Sequence, residues 1–409
     1  MSIRKRIWRT AKGERHEAYV VDYVDTARRR RQKTFELKKD ADIFEKKAGV
    51  EILGGIHVAE RASITVEAAG KLWIGIAGAD GLERGTIDQY TQHLDRHINP
   101  FIGKLKLSQL NVPKVQEFLD TLRANGRSTS MVHKVRVSLG SLIADAQERG
   151  KIGHNPVREL KRNPKRSRRG KTKRQYSRRL QVGIDIPTPE EIRMIVGAAE
   201  GRWRPLLLTA IFTGLRASEL RGLRWQDVDL KAAKLHVRQR ADCYNDIGET
   251  KSESGERTLP LYPMAANALR EWKLKCPRGK LGLVFPNGAG NVENRKNIAQ
   301  RGLQPTLIRA GVTVPVTDAK GEALNDKKGE PLVKAKYPGL HALRHFYASW
   351  CINRKQDGGL ELPLKNVQVR LGHASIKMTA DVYGHLFESQ DDAAGLAEAE
   401  RGLLSVRVN

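Results

Sequence analysis

The sequence predicts a multidomain α+β chain, mainly helical. A small N-terminal three-stranded β-sheet with one helix comes first, then a four-helix bundle, then a larger, mostly α domain with a small β-sheet. Three observations predict this order. β-formers crowd the first segment, as in His16-Glu-Ala-Tyr-Val-Val-Asp-Tyr-Val24. Apolar residues at helical spacing fill the stretch from Ser63 to Leu160. A basic run with almost no apolar residue, Lys161 to Arg174, then parts these from a third segment. A chain of 409 residues is too long for one ordinary core, and two to three domains are expected.

The first segment runs to about Ile56. A short strand at Ile7–Thr10 leads into the Lys12-Gly13 turn, His16–Val24 is the second strand, and Arg28–Glu36 is the third. A charged helix follows over Lys38–Lys47. The run Arg28-Arg29-Arg30-Arg31 falls on the third strand, either as a solvated basic edge or as part of a β-ribbon laid in a DNA groove.

Four amphipathic stripes make the bundle. Val66, Ala69, Leu72, Trp73 and Ile76 follow Thr65 as N-cap; Ile87, Tyr90, Leu94 and Ile98 follow Thr86, with Gln89 at capping-box spacing. Val112, Val115, Phe118, Leu119 and Leu122 form the third. Met131, Val135, Leu139, Leu142, Ile143 and Ala146 form the fourth, after Ser128. These stripes are core and carry no chemistry. The basic run that follows cannot bury a core, so it reads as a linker able to follow a phosphate backbone, with Lys165, Arg166, Arg168 and Arg169 as contacts.

The third segment opens on a helix start: Thr188 at the N-cap, Pro189 at N1, Glu191 at N3. Helices then flank a β region from Leu235 to Leu261. A polar stretch over Val312–Tyr337, with turns at Lys320-Gly321 and Lys328-Gly329, reads as an extended hairpin inserted between helices. No fixed-period repeat is expected, and a modest helix and loose tail close the chain from Glu388.

Charge narrows the partner. Lys and Arg number 74 against 46 Asp and Glu, a formal net charge of +28. A surplus that large calls for a polyanion. No apolar run approaches 18 residues, the basic start MSIRKRIWRT lacks an apolar stretch behind it, and no amphipathic membrane helix stands out. Nucleic acid is therefore expected over membrane. The cysteines Cys243, Cys276 and Cys351 are scattered and odd in number, which argues against a disulfide framework or a cysteine zinc site and for a cytoplasmic chain.

Four clusters in the third segment carry the chemistry: Thr213-Gly-Leu-Arg-Ala-Ser-Glu-Leu220, Thr250-Lys-Ser-Glu-Ser-Gly-Glu-Arg257, His341-Ala-Leu-Arg-His345, and Leu371-Gly-His-Ala374 with Tyr383 ten residues past His373. Phosphodiester cleavage without a metal needs guanidinium forks to match phosphate oxygens. It needs an in-line nucleophile, and a tyrosine hydroxyl needs help from a base or a positive field. It needs a proton for the leaving oxygen, which lysine or histidine can give. His341 and Arg344 share a helix face, as do Arg216 and Glu219.

In this order and spacing the clusters resemble the signature of the tyrosine recombinase (phage integrase) family. The resemblance implies that Arg216, Lys251, His341, Arg344, His373 and Tyr383 are the catalytic set, with Glu219 in support. It implies a 3′-phosphotyrosyl bond, strand exchange through a Holliday junction, and a homotetramer on synapsed double-stranded DNA. A DNA-bending host factor and a directionality factor are further implied partners; no cofactor, metal or membrane is. Lys251, on a turn between strands, is then the general acid, and His341 assists proton transfer. Tyr383 lies in the last helix, after Thr379 as N-cap. His345 matches no required role and is assigned to packing, as are Trp225 and Trp350. The domains become an arm-type DNA-binding domain at 1–58, a core-binding domain at 63–160, a basic linker at 161–185, a catalytic domain at 186–387, and a tail at 388–409 that docks on a neighbouring subunit. The chain so read is a site-specific recombinase of a phage or other mobile element, working in the bacterial cytoplasm on the nucleoid. Its rivals are a type IB topoisomerase-like relaxase, a regulator that has lost catalysis, and a structural nucleoid protein.

Overall fold

The computed structural model describes residues 1–9, 15–26, 28–55, 57–160, 179–250, 253–318, 321–326, 328–387 and 401. The chain divides into two compact units, Met1–Arg168 and Arg169–Asn409. The Lys12-Gly13 turn, Lys251, the linker basics Lys165, Arg166, Arg168 and Arg169, and all of the tail but Arg401 lie outside the described residues.

In the first unit, β1 (Ser2–Arg9), β2 (Arg15–Val24) and β3 (Arg30–Phe35) form an antiparallel sheet in the order β1-β2-β3. β1 is longer than the expected Ile7–Thr10. Its basic first half has no β-former run, yet it pairs with β2 from Ser2↔Asp22 to Arg9↔Arg15, so partner strand rather than composition sets its length. The central strand buries Ala18, Val20, Val21 and Tyr23. The helix Lys38–Leu53 covers the sheet, with Phe44 against Tyr23 and Phe35 at ring distances of 5.6 and 5.2 Å. The arginine run does not lie wholly on the strand. Arg28 is a left-handed turn residue (φ 57°), and Arg29 donates its amide to Asp25. Arg31, within β3, is ion-paired to the same Asp25 at 2.9 Å.

The bundle packs most of the four stripes into one core around Leu107, Val115, Val135, Leu139, Leu142 and Ile143, but Leu72 is 49% exposed, because the first helix turns Val66, Ala69, Gly70, Trp73 and Ala77 inward. Thr65, Asn111 and Ser128 cap their helices through side-chain oxygens. The second helix corrects one expectation. It runs Arg84–His93 from Glu83, and Thr86 sits inside its first turn, because the Glu83 carbonyl already accepts from the Thr86 and Ile87 amides. A π-turn over Leu94–Ile98 follows, which buries Leu94, His97 and Ile98 together.

The second unit starts as expected. Thr188 Oγ1 accepts from the Glu191 amide and Glu191 Oε2 accepts from the Thr188 amide, the reciprocal capping box. Its core gathers Ile195, Leu207, Ile211, Leu220, Leu235, Leu259, Leu269 and Leu307 from most of its helices and a three-stranded antiparallel sheet. That sheet runs β4 (Val228–Asp229), β5 (Lys234–Val237), β8 (Arg257–Pro260); β6 (Gln239–Ala241) and β7 (Ile247–Glu249) form a separate hairpin between β5 and β8 in sequence. Trp225 and Trp350 pack on the core edge, as assigned.

The insert is a hairpin of β9 (Thr313–Pro315) and β10 (Val333–Ala335). Its far end corrects the expectation of no repeat. Thr317-Asp-Ala-Lys-Gly-Glu-Ala-Leu324 and Asn325-Asp-Lys-Lys-Gly-Glu-Pro-Leu332 are two similar octapeptides in tandem, which share Asp, Lys, Gly, Glu and Leu at five of their eight positions. Leu324 donates its amide to Val316, Leu332 to Leu324, and Val316 to Leu332, closing a ring of three backbone hydrogen bonds of 2.7–2.8 Å. In each copy the aspartate Oδ1 accepts the amide of the glutamate four residues on. At the hairpin base, Lys336 and Tyr337 both bond the capping carboxylate of Glu191, at 2.6 and 2.7 Å.

Candidate active site

Two arginines are held by the backbone at two helix ends. The helix Trp203–Thr213 ends at Gly214 in the left-handed conformation (φ 62°), and the helix Leu364–Leu371 ends at Gly372 likewise (φ 63°). Glycine at each end frees a carbonyl to point sideways. Arg344, on the helix His341–Ile352, donates to Gly214 O (2.7 Å) and Leu371 O (2.6 Å). Arg216 donates to Gly372 O (2.9 Å) and to Glu219 Oε1 (2.7 Å). A Cβ at Gly214 would collide with the Tyr347 ring, and one at Gly372 would stand 2.7 Å from Arg257 Nη1, so neither position has room for a side chain.

Glu219 is the hub beneath them. It accepts the Arg216 amide, as N3 of the short helix Ala217–Gly222, and pairs with both Arg216 and Arg257. Burial disfavours its charge, yet Arg257, then Arg216 and Arg344, hold the carboxyl below the usual carboxylate range. Arg344 is buried, which pushes its guanidinium down to about 10, with Arg216 adding to the shift; it stays protonated at neutral pH.

Tyr383 ends the helix Ile376–Tyr383 and is 2% exposed. Burial pushes its phenol up to about 12, against the opposing pull of Arg344 and Arg216. Its ring stacks parallel to that of His373, centroids 6.3 Å apart and 6° between planes. His373 Nδ1 lies 2.9 Å from Thr379 Oγ1. This corrects the assignment of Thr379 as N-cap. Ser375 caps the helix through the Met378 amide, while Thr379, fully buried one turn on, spends its hydroxyl on His373. Burial pushes the His373 imidazole down to about 4, with Arg344 and Arg216 next in effect.

The expected residues Arg216, Glu219, His341, Arg344, His373 and Tyr383 thus gather in one place. His341 stands at the exposed start of its helix. Partial burial, Arg344 and Arg216 lower its pKa, and its ring meets the His345 ring edge-on at 4.5 Å. Three residues were missed. His345 Nδ1 lies 2.7 Å from the Tyr383 hydroxyl, so packing is not its whole role. Arg257 anchors Glu219, and Thr379 anchors His373. Arg257 had a sequence signal: a lone arginine closing a polar cluster, at the start of the alternating strand Arg257–Pro260. His345 had one as well, a second imidazole one helical turn after His341.

The phage integrase family profile matches residues 187–390, and the profile of the phage integrase central domain matches 66–163. The chain belongs to the phage integrase family. It is a tyrosine-type site-specific recombinase of the kind mobile elements carry, an enzyme that breaks and rejoins DNA. A tyrosine recombinase XerC-like protein of Caldanaerobacter subterraneus is 26% identical over 383 residues, 86% of this integrase and 87% of that protein. The prophage integrase IntR of Escherichia coli K12 is 24% identical over 286 residues, 67% of this chain and 62% of that one. Among solved structures, the Tn1549 transposon integrase in complex with transposon right end DNA superposes with a TM-score of 0.58 at 18% identity, covering 83% of this chain and 100% of that one. A lambda integrase tetramer bound to a Holliday junction gives 0.51 at 16%, covering 90% and 95%. The last likeness extends to the N-terminal sheet, whose fold resembles the lambda arm-binding domain. Among the described residues no helix is long and apolar enough to cross a membrane.

Proposed function

We propose that Tyr383 attacks a DNA phosphate, giving a 3′-phosphotyrosyl link and a free 5′-hydroxyl. The observation that carries this reading is the convergence of Arg216, Arg344 and His373 on a buried tyrosine at the end of its helix. Each guanidinium has five N–H donors, of which the described bonds engage two in each case, leaving donors for phosphate oxygens. Arg344 is buried and Arg216 is partly open to solvent, and together they stabilise the charge that gathers on the non-bridging oxygens. His373, neutral and fixed by Thr379, offers one more hydrogen bond. Lys251 is the general acid for the 5′-oxygen, and His341 at the mouth assists proton transfer. The phosphotyrosyl bond keeps the energy of the broken strand, so rejoining needs no nucleotide hydrolysis.

We assign 1–58 to arm-type DNA binding, 63–160 to core-site binding, 161–185 to a basic linker, 186–387 to catalysis and 388–409 to docking on a neighbour. Arg28, Arg29, Arg30 and Arg31, with Lys165, Arg166, Arg168 and Arg169, contact phosphates. The solved relatives include a lambda integrase dimer on a core site and a tetramer on a Holliday junction. A homotetramer on synapsed duplexes is the corresponding assembly here, in the bacterial cytoplasm, with a bending protein and a directionality factor as partners.

The test is covalent trapping. Wild type and Tyr383→Phe are incubated, with chelator, with nicked duplexes tiled from DNA flanking the protein's own gene and run on a denaturing gel. An adduct in the wild type alone supports the reading and locates the site. An adduct in both moves the nucleophile elsewhere.

A further inference from the structure

The geometry points to His345 as the group that holds the Tyr383 proton at rest and accepts it as the strand is cut, an inference that rests on Tyr383 being the nucleophile. The nucleophile side of the reaction has a proton to lose. Among the described residues the Tyr383 hydroxyl makes one hydrogen bond, to His345 Nδ1 at 2.7 Å, a distance ordinary for proton transfer along it. The direction of that bond follows from burial. The phenol keeps its hydrogen at neutral pH, and a buried hydroxyl hydrogen needs an acceptor. If Nδ1 carried the proton, the phenol hydrogen would have no acceptor among the described residues, which assigns Nδ1 as the acceptor and Nε2 as the bearer of the imidazole hydrogen.

The surroundings keep His345 in the form that can accept. Burial first, then His341 and Arg344, push its imidazole down to about 4, with Asp185 pulling the other way. It is therefore neutral at working pH. Such a weak base does not strip a phenol at rest, and the resting enzyme keeps its nucleophile protonated. The balance changes when DNA enters. The phosphate's negative charge stabilises an imidazolium, and the phenol grows acidic as its oxygen bonds to phosphorus. As Oη–P forms, Oη–H breaks and the proton passes to Nδ1, while P–O5′ breaks and the 5′-oxygen takes its proton from the leaving-group acid. On rejoining, the 5′-hydroxyl attacks, P–Oη breaks, and His345 returns the proton to Oη. His341, which the sequence pattern nominates for proton transfer, stands behind His345 at 4.5 Å between rings and touches the hydroxyl through no described bond. His345 is thus the catalytic residue on the nucleophile side.

The test uses the full chain and the nicked duplexes above, prepared with either oxygen or sulfur at the bridging 5′ position. Sulfur leaves without an acid, so it rescues loss of the leaving-group acid and does nothing for loss of a base on the nucleophile. His345→Asn keeps an acceptor near the Nδ1 position but cannot take the proton. Its single-turnover cleavage is expected to fall about 10²-fold on both substrates with DNA binding unchanged. Cleavage within about threefold of wild type overturns the inference. So does a defect that vanishes on sulfur, which would place His345 on the leaving-group side. Tyr383→Phe runs alongside: an adduct there sinks the nucleophile reading itself, whereas a silent His345→Asn with a dead Tyr383→Phe sinks this inference alone. Should His345→Asn fail to fold or no substrate be found, ¹⁵N shifts of the wild-type imidazole decide: an unprotonated Nδ1 supports the assignment, and a protonated one overturns it.

Discussion

Glu219 and Arg257 form a doubly hydrogen-bonded ion pair at 2.8 and 3.2 Å, each side chain 3% exposed. Arg257 further donates to Arg370 O and Gly255 O, so this one guanidinium ties the start of β8 to the helix that ends at Gly372. Breaking a buried pair by removing one partner costs about 3–5 kcal/mol. Arg257→Met should lower stability by that order, and Glu219→Gln by less, since the amide keeps one acceptor oxygen. Chemical denaturation measures both; equal and negligible losses would show the pair to be idle.

The same carboxylate sets an acid limit. Its folded pKa is depressed, so the stability it contributes is present above the unfolded carboxylate pKa and is lost as pH falls through the lower, folded one. The wild type should lose stability across the acid range, and Glu219→Gln should lose less over the same interval. Midpoints from denaturant titrations at stepped pH read this out; parallel curves would contradict it.

Gly214 and Gly372 take left-handed backbone conformations and lack space for a Cβ. The backbone penalty alone is about 1–2 kcal/mol for an L side chain. Gly214→Ala should cost more than that, because the Tyr347 ring beside it is itself fully buried. Gly372→Ala should also slow DNA cleavage, as it displaces the carbonyl that Arg216 leans on. Unchanged melting and cleavage for both would refute the account.

Thr379→Val keeps shape and removes the oxygen facing His373 Nδ1. Cleavage should drop about tenfold with little change in melting temperature, and Thr379→Ser should restore it. A valine variant of full activity would mean that the His373 ring needs no tether.

Tyr383 should resist ionisation. Its folded pKa is raised to about 12, so the stability it contributes is full below the unfolded value near ~10 and fades as pH climbs to the folded one. The ultraviolet titration of wild type minus Tyr383→Phe should show no phenolate below the ordinary tyrosine range. A component titrating at or under that range would mean that the arginines outweigh burial.

Much of this was legible in the sequence because periodicity and capping chemistry act locally. Most of the stripe positions from Val66 to Ala146, though not the exposed Leu72, and the Thr188–Glu191 box folded as their spacing demands. β1 outran its composition because a partner strand set its length, and Thr86 misled because backbone carbonyls had already satisfied the turn it was meant to start. The residues brought around Tyr383 were readable as ordered motifs. The roles of His345, Arg257 and Thr379 were not: the first two act through partners 38 residues away in the chain, and Thr379 through an imidazole six residues before it that no capping rule points to. Thr379 shows the limit clearly: an N-cap and a buried histidine tether use the same hydroxyl, and only the fold says which amide or ring it meets.

The ring closed by Val316, Leu324 and Leu332 has an evolutionary corollary. Each octapeptide receives one backbone bond and passes one on, so the natural currency of change at this loop is a whole unit. A slipped copy in the gene that adds or drops eight codons preserves reading frame and handover alike. Loop lengths at this place among descendants of the chain should therefore step by octads, recording replication accidents that the protein could absorb.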